Sequence, residues 1–247
     1  MARIVAQGSG SVHGFDGSAA MIAAANAAVE SAGLAEKCTF EGEPLQDPLP
    51  NQTPSLTRSP LPTVLDATTL PSHSHLQRGT FTKAFSNAAL HWILRAPATR
   101  EDVFRGVRDA LAPGGTFVFE TGGLGNVSEI RAALLSAVGR RVGLARAVEV
   151  DPWFFPDEAW VKEVMEEKVG GWRVEKAERE WRPTKADKSG VEGWVRLMAK
   201  EFFAVLPEEE REECIREVVD VLKVVCAQPG GGHMYSYVRL RVVATKV

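Results

Sequence analysis

Apolar and polar positions follow two different periods along this chain, and the two alternate through its first half. Short apolar runs that suit strands occupy residues 11–15, 37–40, 81–85 and 116–120. Stretches that suit helices occupy residues 19–32, 100–111 and 127–138. Strands that alternate with helices indicate an α/β fold in which helices cover both faces of a parallel sheet.

The second half of the chain is richer in helix. Its pattern predicts helices over residues 159–168, 190–203 and 208–225, and strands over residues 172–181 and 235–246. We expect residues 1–147 to form the core of the fold. Residues 148–247 should form a helical lid and substrate region together with the final strands of the same domain.

Cap and turn residues mark several element ends. Ser18 is a candidate N-cap for the first helix and Gly33 a candidate terminator, while Pro113, Gly114 and Gly115 predict a tight turn into the next strand. Residues 41–62 contain six prolines and no apolar period. This composition suits neither a helix nor a central strand, so we expect a long inserted surface loop there.

Composition places the chain among ordinary globular proteins. The apolar share is 45%, the charged share is 25% and the net charge is −3, so nothing favours a nucleic-acid or membrane-surface partner. No apolar run reaches the ~18 residues of a membrane helix, and the N-terminus lacks a signal-type apolar core, so we expect a cytoplasmic protein. No pattern specifies an oligomeric state.

The cysteines and histidines do not predict a metal site. Cys38, Cys214 and Cys226 lie far apart without CxxC spacing, which suits buried free thiols in a reducing compartment. His73, His75 and His233 sit in polar or glycine-rich segments and are not expected to form a metal triad. We therefore expect no bound metal.

Polar residues follow three apolar runs in a suggestive order. Asp16 and Asn87 follow predicted strands, and Asp66 follows the short apolar run Val64-Leu65. Ligands of doubly wound sheets bind at the carboxyl ends of strands. One acid can accept hydrogen bonds from ribose hydroxyls, and the next can accept from the exocyclic amine of adenine. The series therefore suits an adenosine-containing cofactor. The alternative for each aspartate is a turn or cap role.

Several motifs resemble one known family. These are GSVHGFDGSAAMIAAA at residues 10–25, FSNAALHWI at 85–93, LAPGGTFVFETGGLGNVSEI at 111–130, and the C-terminal blocks DPWFFPDEAWVKEVME, EREWRPT, GWVRLMAKEFFAVLPEEER and YSYVRLRVVATK. Together they resemble the trans-aconitate methyltransferase-like group, with its fungal relatives, among the class I S-adenosylmethionine-dependent methyltransferases. The resemblance covers residues 10–40 and 63–247 and implies a Rossmann-like sheet.

The resemblance also implies roles for individual residues. Asp16 would bind the ribose hydroxyls, and neighbouring residues would line that end of the S-adenosylmethionine site: Gly17, Ser18 and Met21. Asp66 and Ala67 would flank adenine, whereas Asn87 and Ala88 would lie near the methionyl part and the methyl group. His91 and Trp92 would sit where the acceptor meets the methyl.

Further residues are candidates for the acceptor side. His91 could act as a general base with a pKa near working pH, or it could pack with Trp92 and make one structural hydrogen bond. Arginines in the lid half could clamp a carboxylate substrate, or could be ordinary surface charge: Arg182, Arg196, Arg239 and Arg241. Trp153 is a candidate pocket wall, with core packing as its alternative.

One departure from the family stands out. The ribose acid normally follows the first glycine of the cofactor loop by ~20 residues, and counting back from Asp16 passes Met1. We therefore expect the family's first strand and glycine loop to be absent. Gly8, Gly10 and Gly14 superficially imitate that loop, but no acid stands ~20 residues after Gly8.

Three functions remain open from the sequence. The first is an S-adenosylmethionine-dependent methyltransferase acting on a small molecule, with a carboxylate as the candidate acceptor. The second is a catalytically impaired relative that acts as a binding module, because the missing glycine loop would contact the methionyl half of the cofactor. The third is an NAD-dependent oxidoreductase, suggested only by the glycine run.

Overall fold

A computed structural model describes residues 10–43 and 65–247. The chain divides into two compact units, Met1–Leu76 and Gln77–Val247. Residues 8 and 9 of the glycine run lie outside the described residues, as does most of the predicted loop at 41–62. The domain boundary after residue 147 and the absence of the family's first strand stay predictions.

The first unit contains a parallel strand pair joined through a helix. Its elements are β1 (Val12–Phe15), α1 (Ala19–Ser31), β2 (Cys38–Glu43) and a 3₁₀ helix (Ala67–Ser72). β1 pairs with β2 in parallel, from Val12 opposite Cys38 onward. The predicted cap is confirmed, because the Ser18 hydroxyl accepts a hydrogen bond from the Met21 backbone N–H at 3.4 Å. Gly33 follows the helix with a φ of +66°, a conformation that favours glycine.

The second unit contains a four-stranded sheet in the order β3-β4-β6-β5. Its strands are β3 (Phe81–Asn87), β4 (Leu111–Gly122), β5 (Trp172–Lys185) and β6 (Met234–Lys246). β3 and β4 run parallel, as expected, whereas β6 runs antiparallel to both β4 and β5. The C-terminal strands therefore make the sheet mixed rather than fully parallel.

Helices connect and cover these strands. They are α2 (Leu90–Ile93), a 3₁₀ turn (Pro97–Thr99), α3 (Arg100–Ala110), α4 (Ser128–Val142), α5 (Leu144–Glu149), α6 (Glu158–Lys162), a π-helix (Glu163–Val169), α7 (Gly190–Met198), α8 (Lys200–Ala204) and α9 (Glu208–Val225). Among the described helices, none is long and apolar enough to cross a membrane.

Two apolar clusters hold the second unit together. In the first, Phe104 of α3 and Met165 of the π-helix pack with Phe119 and Leu240 of the sheet. In the second, helices α4 and α5 pack with α7 to α9 and with Tyr235 of β6. On the sheet's other face the side chains of Phe85 and Val118 are exposed.

Three predicted elements differ in detail from the structure. The turn at Pro113 is absorbed into β4 as an irregularity, because Phe81 pairs with Leu111 while Lys83 pairs with Thr116. The helix predicted over 159–168 becomes a π-helix after Lys162. The helix predicted over 190–203 breaks at Ala199, whose φ of −113° and ψ of 19° leave helical geometry.

Candidate functional site

The predicted ribose acid, Asp16, lies at the end of β1 in the first unit. Its Oδ1 accepts a hydrogen bond from the Ser18 N–H at 2.8 Å, and its carbonyl accepts one from the Leu65 N–H at 3.2 Å. The second contact brings the chain segment that carries Asp66 next to Asp16. Gly17 and Ser18 form the turn into α1, and Met21 on its first turn is exposed.

Asp66 begins the 3₁₀ helix of the first unit. Its Oδ1 accepts a hydrogen bond from the Thr68 N–H at 2.9 Å, and Ala67 next to it is buried. Both aspartates therefore have the turn or cap role that was the alternative to ligand binding. Within the described part of the chain, no hydrogen bond uses the Oδ2 atom of Asp16 or Asp66, so each keeps one carboxylate oxygen for another donor.

In the second unit, Asn87 and Ala88 lie at the carboxyl end of β3. Asn87 stands opposite Glu120 of β4, and the Ala88 N–H donates to the Glu120 carbonyl at 2.8 Å. Ala88 has a φ of +54°, which is rare and strained for a residue with a Cβ. Strained backbone at a strand end is typical of ligand sites.

His91 lies on α2 beside the end of β4. Its side chain is buried, with 8% of the residue exposed. The Gly122 backbone N–H donates to its Nδ1 at 3.3 Å, and the Thr121 hydroxyl lies 3.1 Å from the same nitrogen. Both contacts come from the last two residues of β4, where the segment GGLGNV of residues 122–127 begins.

Burial, with the positive charge of Arg239 as the smaller cause, lowers the pKa of His91 from 6.5 to about 4. The prediction that this pKa lies near working pH is therefore wrong. A general base also needs a free lone pair, and Nδ1 already accepts a hydrogen bond. A position near the acceptor stays a prediction for His91.

Aromatic rings surround His91. The ring centroids of Trp92 and Phe155 lie 5.5 Å and 5.9 Å from that of His91. Trp153 stacks against Phe155 and also packs on Phe202 of the helical cluster. Trp153 is buried, so its core-packing alternative is confirmed, while its role as a pocket wall stays a prediction.

Three of the predicted arginines meet at one carboxylate, that of Glu120. Arg241 Nε donates to Glu120 Oε2 at 2.7 Å. Arg182 Nη1 and Arg239 Nε lie farther from Glu120 Oε1, at 3.7 Å and 3.8 Å. The Nε of Arg239 is buried and has no hydrogen-bond partner among the described residues.

Arg196 lies elsewhere. It is on α7, where its guanidinium donates to both carboxylate oxygens of Glu212 at 2.8 Å and 2.7 Å and to Glu192 at 2.9 Å. Its donors are already engaged by carboxylates, so the structure does not group it with Arg182 and Arg239.

A cleft of about 300 Å³ lies on the face of the sheet that carries Phe85 and Val118. It is lined by Phe85, Asn87, Val118, Phe119, Glu120, Lys176, Glu178, Arg241, Val242 and Val243. Asn87, Glu120, Arg241 and Glu178 are successive cross-strand neighbours in this wall. The volume is at the lower end of the range for small-molecule pockets.

Sequence reasoning missed Glu120, Thr121 and Gly122 as members of this site. The available signal was their position, since an acid and a hydroxyl close a strong apolar strand. Among the described residues, no three histidine, cysteine or acidic side chains come together as metal ligands. The three cysteines are free and buried.

Comparison with known sequences relates the chain to methyltransferases. A family model described as a methyltransferase domain matches residues 1–119. An uncharacterized methyltransferase of Schizosaccharomyces pombe is 37% identical over 185 residues, which is 74% of this chain and 67% of the relative.

Solved structures share the fold at low identity. A proposed methyltransferase from Bacillus halodurans C-125 has a TM-score of 0.52 and 14% identity, covering 96% of this chain and 83% of that one. The cyclase SpnF has a TM-score of 0.50 and 13% identity, covering 99% of this chain and 68% of that one. At such identity the likeness concerns the fold alone, which is the predicted Rossmann-like α/β fold.

Proposed function

Because this chain belongs to the class I S-adenosylmethionine-dependent methyltransferases, we propose that it methylates a small molecule that carries a carboxylate. The motifs at residues 85–93 and 111–130 support the trans-aconitate methyltransferase-like group as its place within that family. The proposal of a carboxylate on the substrate rests on Arg239, whose buried Nε has no hydrogen-bond acceptor among the described residues.

The residues of the first unit fit the adenosine half of S-adenosylmethionine. Asp16 and Asp66 lie on adjacent segments, and each keeps one carboxylate oxygen without a hydrogen bond from a described residue. A carboxylate accepts hydrogen bonds without donating any, which suits ribose hydroxyls at Asp16 and the adenine amine at Asp66. Gly17, Ser18, Met21 and Ala67 would line that half.

The residues of the second unit fit the other half. Asn87 offers an amide beside the cleft on the sheet, and Ala88 holds the chain in a strained turn directly after it. An amide presents both donors and an acceptor, as a methionyl amino and carboxylate group require. We therefore assign Asn87 and Ala88 to the methionyl end and the methyl group.

The arginines near Glu120 support the proposal that the methyl acceptor is a carboxylate. Arg241 is bonded to Glu120 and also reaches Glu180, so its charge is balanced. Arg239 and Arg182 lie beyond hydrogen-bond distance of Glu120. A substrate carboxylate would give the Arg239 guanidinium the bidentate partner that it lacks. His91, Trp92 and Trp153 would form the remaining wall.

The chain's residues would act mainly by positioning. When bound, the cofactor supplies a methyl group on a positively charged sulfur. A carboxylate acceptor has no proton to lose, so a site without a strong base is sufficient for it. Arg239 and Arg182 would hold the acceptor, and the apolar rings near His91 would exclude water, so that the acceptor oxygen meets the methyl in line.

A second candidate is a protein that keeps the fold without methyl transfer. The reason to test this candidate is the fold likeness to the cyclase SpnF, because one fold can host different reactions. It predicts ligand binding without methyl transfer to any acceptor.

Calorimetric titration of the purified chain with S-adenosylmethionine, S-adenosylhomocysteine and NAD separates these functions. Micromolar binding of the first two, with none for NAD, is the expected result. Transfer of a labelled methyl group to a panel of carboxylic acids and matched amides tests the acceptor class. Absence of cofactor binding, or methylation of the amides as readily as the acids, would refute the proposal.

Two substitutions of Arg239 test whether its guanidinium binds the substrate carboxylate. Arg239→Gln should raise KM for an acid substrate by roughly 10- to 100-fold, because a hydrogen bond to a charged group contributes about 1.5–3 kcal/mol. Affinity for S-adenosylhomocysteine should not change. Arg239→Lys should recover only part of the loss, since lysine cannot bind bidentately. Arg105→Gln on the exposed face of α3 is the matched control.

A further inference from the structure

The hydrogen bonds around His91 determine which ring nitrogen carries its proton. A backbone N–H can only donate, and that of Gly122 points at His91 Nδ1 with a distance of 3.3 Å. Nδ1 must therefore be the accepting nitrogen. The Thr121 hydroxyl, 3.1 Å from the same atom, can rotate to donate there as well. In the neutral ring, the proton then belongs to Nε2.

The other nitrogen of the ring is available to a ligand. Among the described residues, none makes a hydrogen bond to His91 Nε2. The residue keeps 8% of its surface exposed. His91 therefore has one nitrogen bonded to the end of β4 and one N–H without a hydrogen-bond partner among the described residues.

Thr121 has no other described use for its hydroxyl. The residue is completely buried, and its side chain makes one described hydrogen bond, to His91. A buried hydroxyl without a partner is costly, so the contact with Nδ1 accounts for its presence at this position. Valine has nearly the same shape but cannot donate, which makes the role testable.

We propose that Thr121 and Gly122 are positioning residues that hold His91 as its neutral Nε2–H tautomer, so that His91 donates a hydrogen bond to an anionic acceptor group. An N–H donor can bond to an anionic oxygen, whereas it offers no acceptor to a cationic amine. The anionic acceptor rests on the proposed function, while the tautomer does not.

The chemistry balances without a base. An acceptor carboxylate oxygen forms a bond to the methyl carbon while the carbon–sulfur bond breaks and its electron pair stays on sulfur. No proton moves, so His91 keeps its Nε2 proton throughout. Its hydrogen bond would orient the carboxylate and leave one oxygen free for the methyl.

Nitrogen-15 NMR of histidine-labelled protein tests the tautomer without cofactor or acceptor. We expect the His91 signals to show a protonated Nε2 and an unprotonated Nδ1, unchanged between pH 6 and pH 8. His91→Gln identifies the signals by their loss. A protonated Nδ1, or an imidazolium at pH 7, would overturn the proposal whether or not the protein methylates anything.

Two substitutions at Thr121 test the positioning role. Thr121→Val should raise the ratio of the Nδ1–H to the Nε2–H tautomer about fivefold, the equivalent of one hydrogen bond of about 1 kcal/mol. Thr121→Ser restores the hydroxyl and should restore the wild-type ratio. Thermal unfolding shows whether both variants fold. A Thr121→Val spectrum identical to the wild type's would remove Thr121 from the proposal.

Kinetics with any acid substrate distinguish a donor from a base. Glutamine keeps an N–H donor but cannot take up a proton, whereas alanine does neither. A donor role predicts that kcat/KM of His91→Gln stays within about tenfold of the wild type while His91→Ala loses roughly 10- to 100-fold. Equal losses in both variants would contradict the donor role. Failure of methyl transfer itself would refute the proposed function and leave the NMR result readable.

Discussion

The lowered pKa of His91 makes the protein sensitive to acid in a way that one substitution should remove. The folded-state pKa is about 4 against an ordinary 6.5, so the unfolded chain takes up a proton at a pH where the folded protein does not. The contribution of neutral His91 to the free energy of unfolding is therefore fully present above pH 6.5. It is lost as the pH falls toward 4. The loss amounts to about 2 kcal/mol at pH 5 and about 3 kcal/mol at pH 4.

Urea unfolding followed by tryptophan fluorescence measures this effect in wild type and His91→Gln at pH 7 and pH 5. The wild type should lose about 2 kcal/mol more than the variant between the two pH values, because the carboxylates that titrate in this range are common to both. His75→Gln, which removes an exposed histidine and leaves His91 in place, should keep the wild-type loss. Equal losses for wild type and His91→Gln would show that His91 is not held neutral by burial beside Arg239.

Two further changes test local features of the fold. Ala88→Gly should raise the free energy of unfolding by roughly 0.5–1 kcal/mol, because the residue has a φ of +54°. Ala89→Gly, at a φ of −111°, should lower it by a similar amount. Thermal unfolding measures both changes, and a loss of stability in both variants would show that Ala88 is not strained. Asp151→Asn should lower the free energy of unfolding by about 1–3 kcal/mol, because this buried carboxylate accepts hydrogen bonds from Arg131 and from the Trp153 N–H. Asp102→Asn, in an exposed ion pair with Arg105, should lower it by less than about 1 kcal/mol. Similar losses for the two aspartates in chemical denaturation would contradict the importance of burial.

The elements of the fold were largely predictable. The helix over 208–225 has the predicted bounds, and the strand predicted over 235–246 begins one residue earlier. Such elements carry a strong local period, which is a property of neighbouring residues. The break at Ala199 and the π-helix after Lys162 were not predictable, because no proline or glycine stands beside either position to mark it.

The site was predictable only in part. The rule that strand ends carry ligands pointed to Asp16, Asp66 and Asn87, and the structure puts each at the end of a strand or at the start of a short helix. The same rule could have found Glu120, which also ends a strand. The pKa of His91 could not be inferred, since it depends on burial and on Arg239, a residue 148 positions away along the chain.

The sequence by itself determined the alternation of strands and helices, the caps at Ser18 and Gly33, and the motifs that relate the chain to its family, because each depends on residues close together in the chain. Only the tertiary structure decided that Arg182 and Arg239 gather at Glu120 and that His91 is a neutral residue. Both depend on strand register and on the removal of water from a side chain, which arise when distant segments pack together.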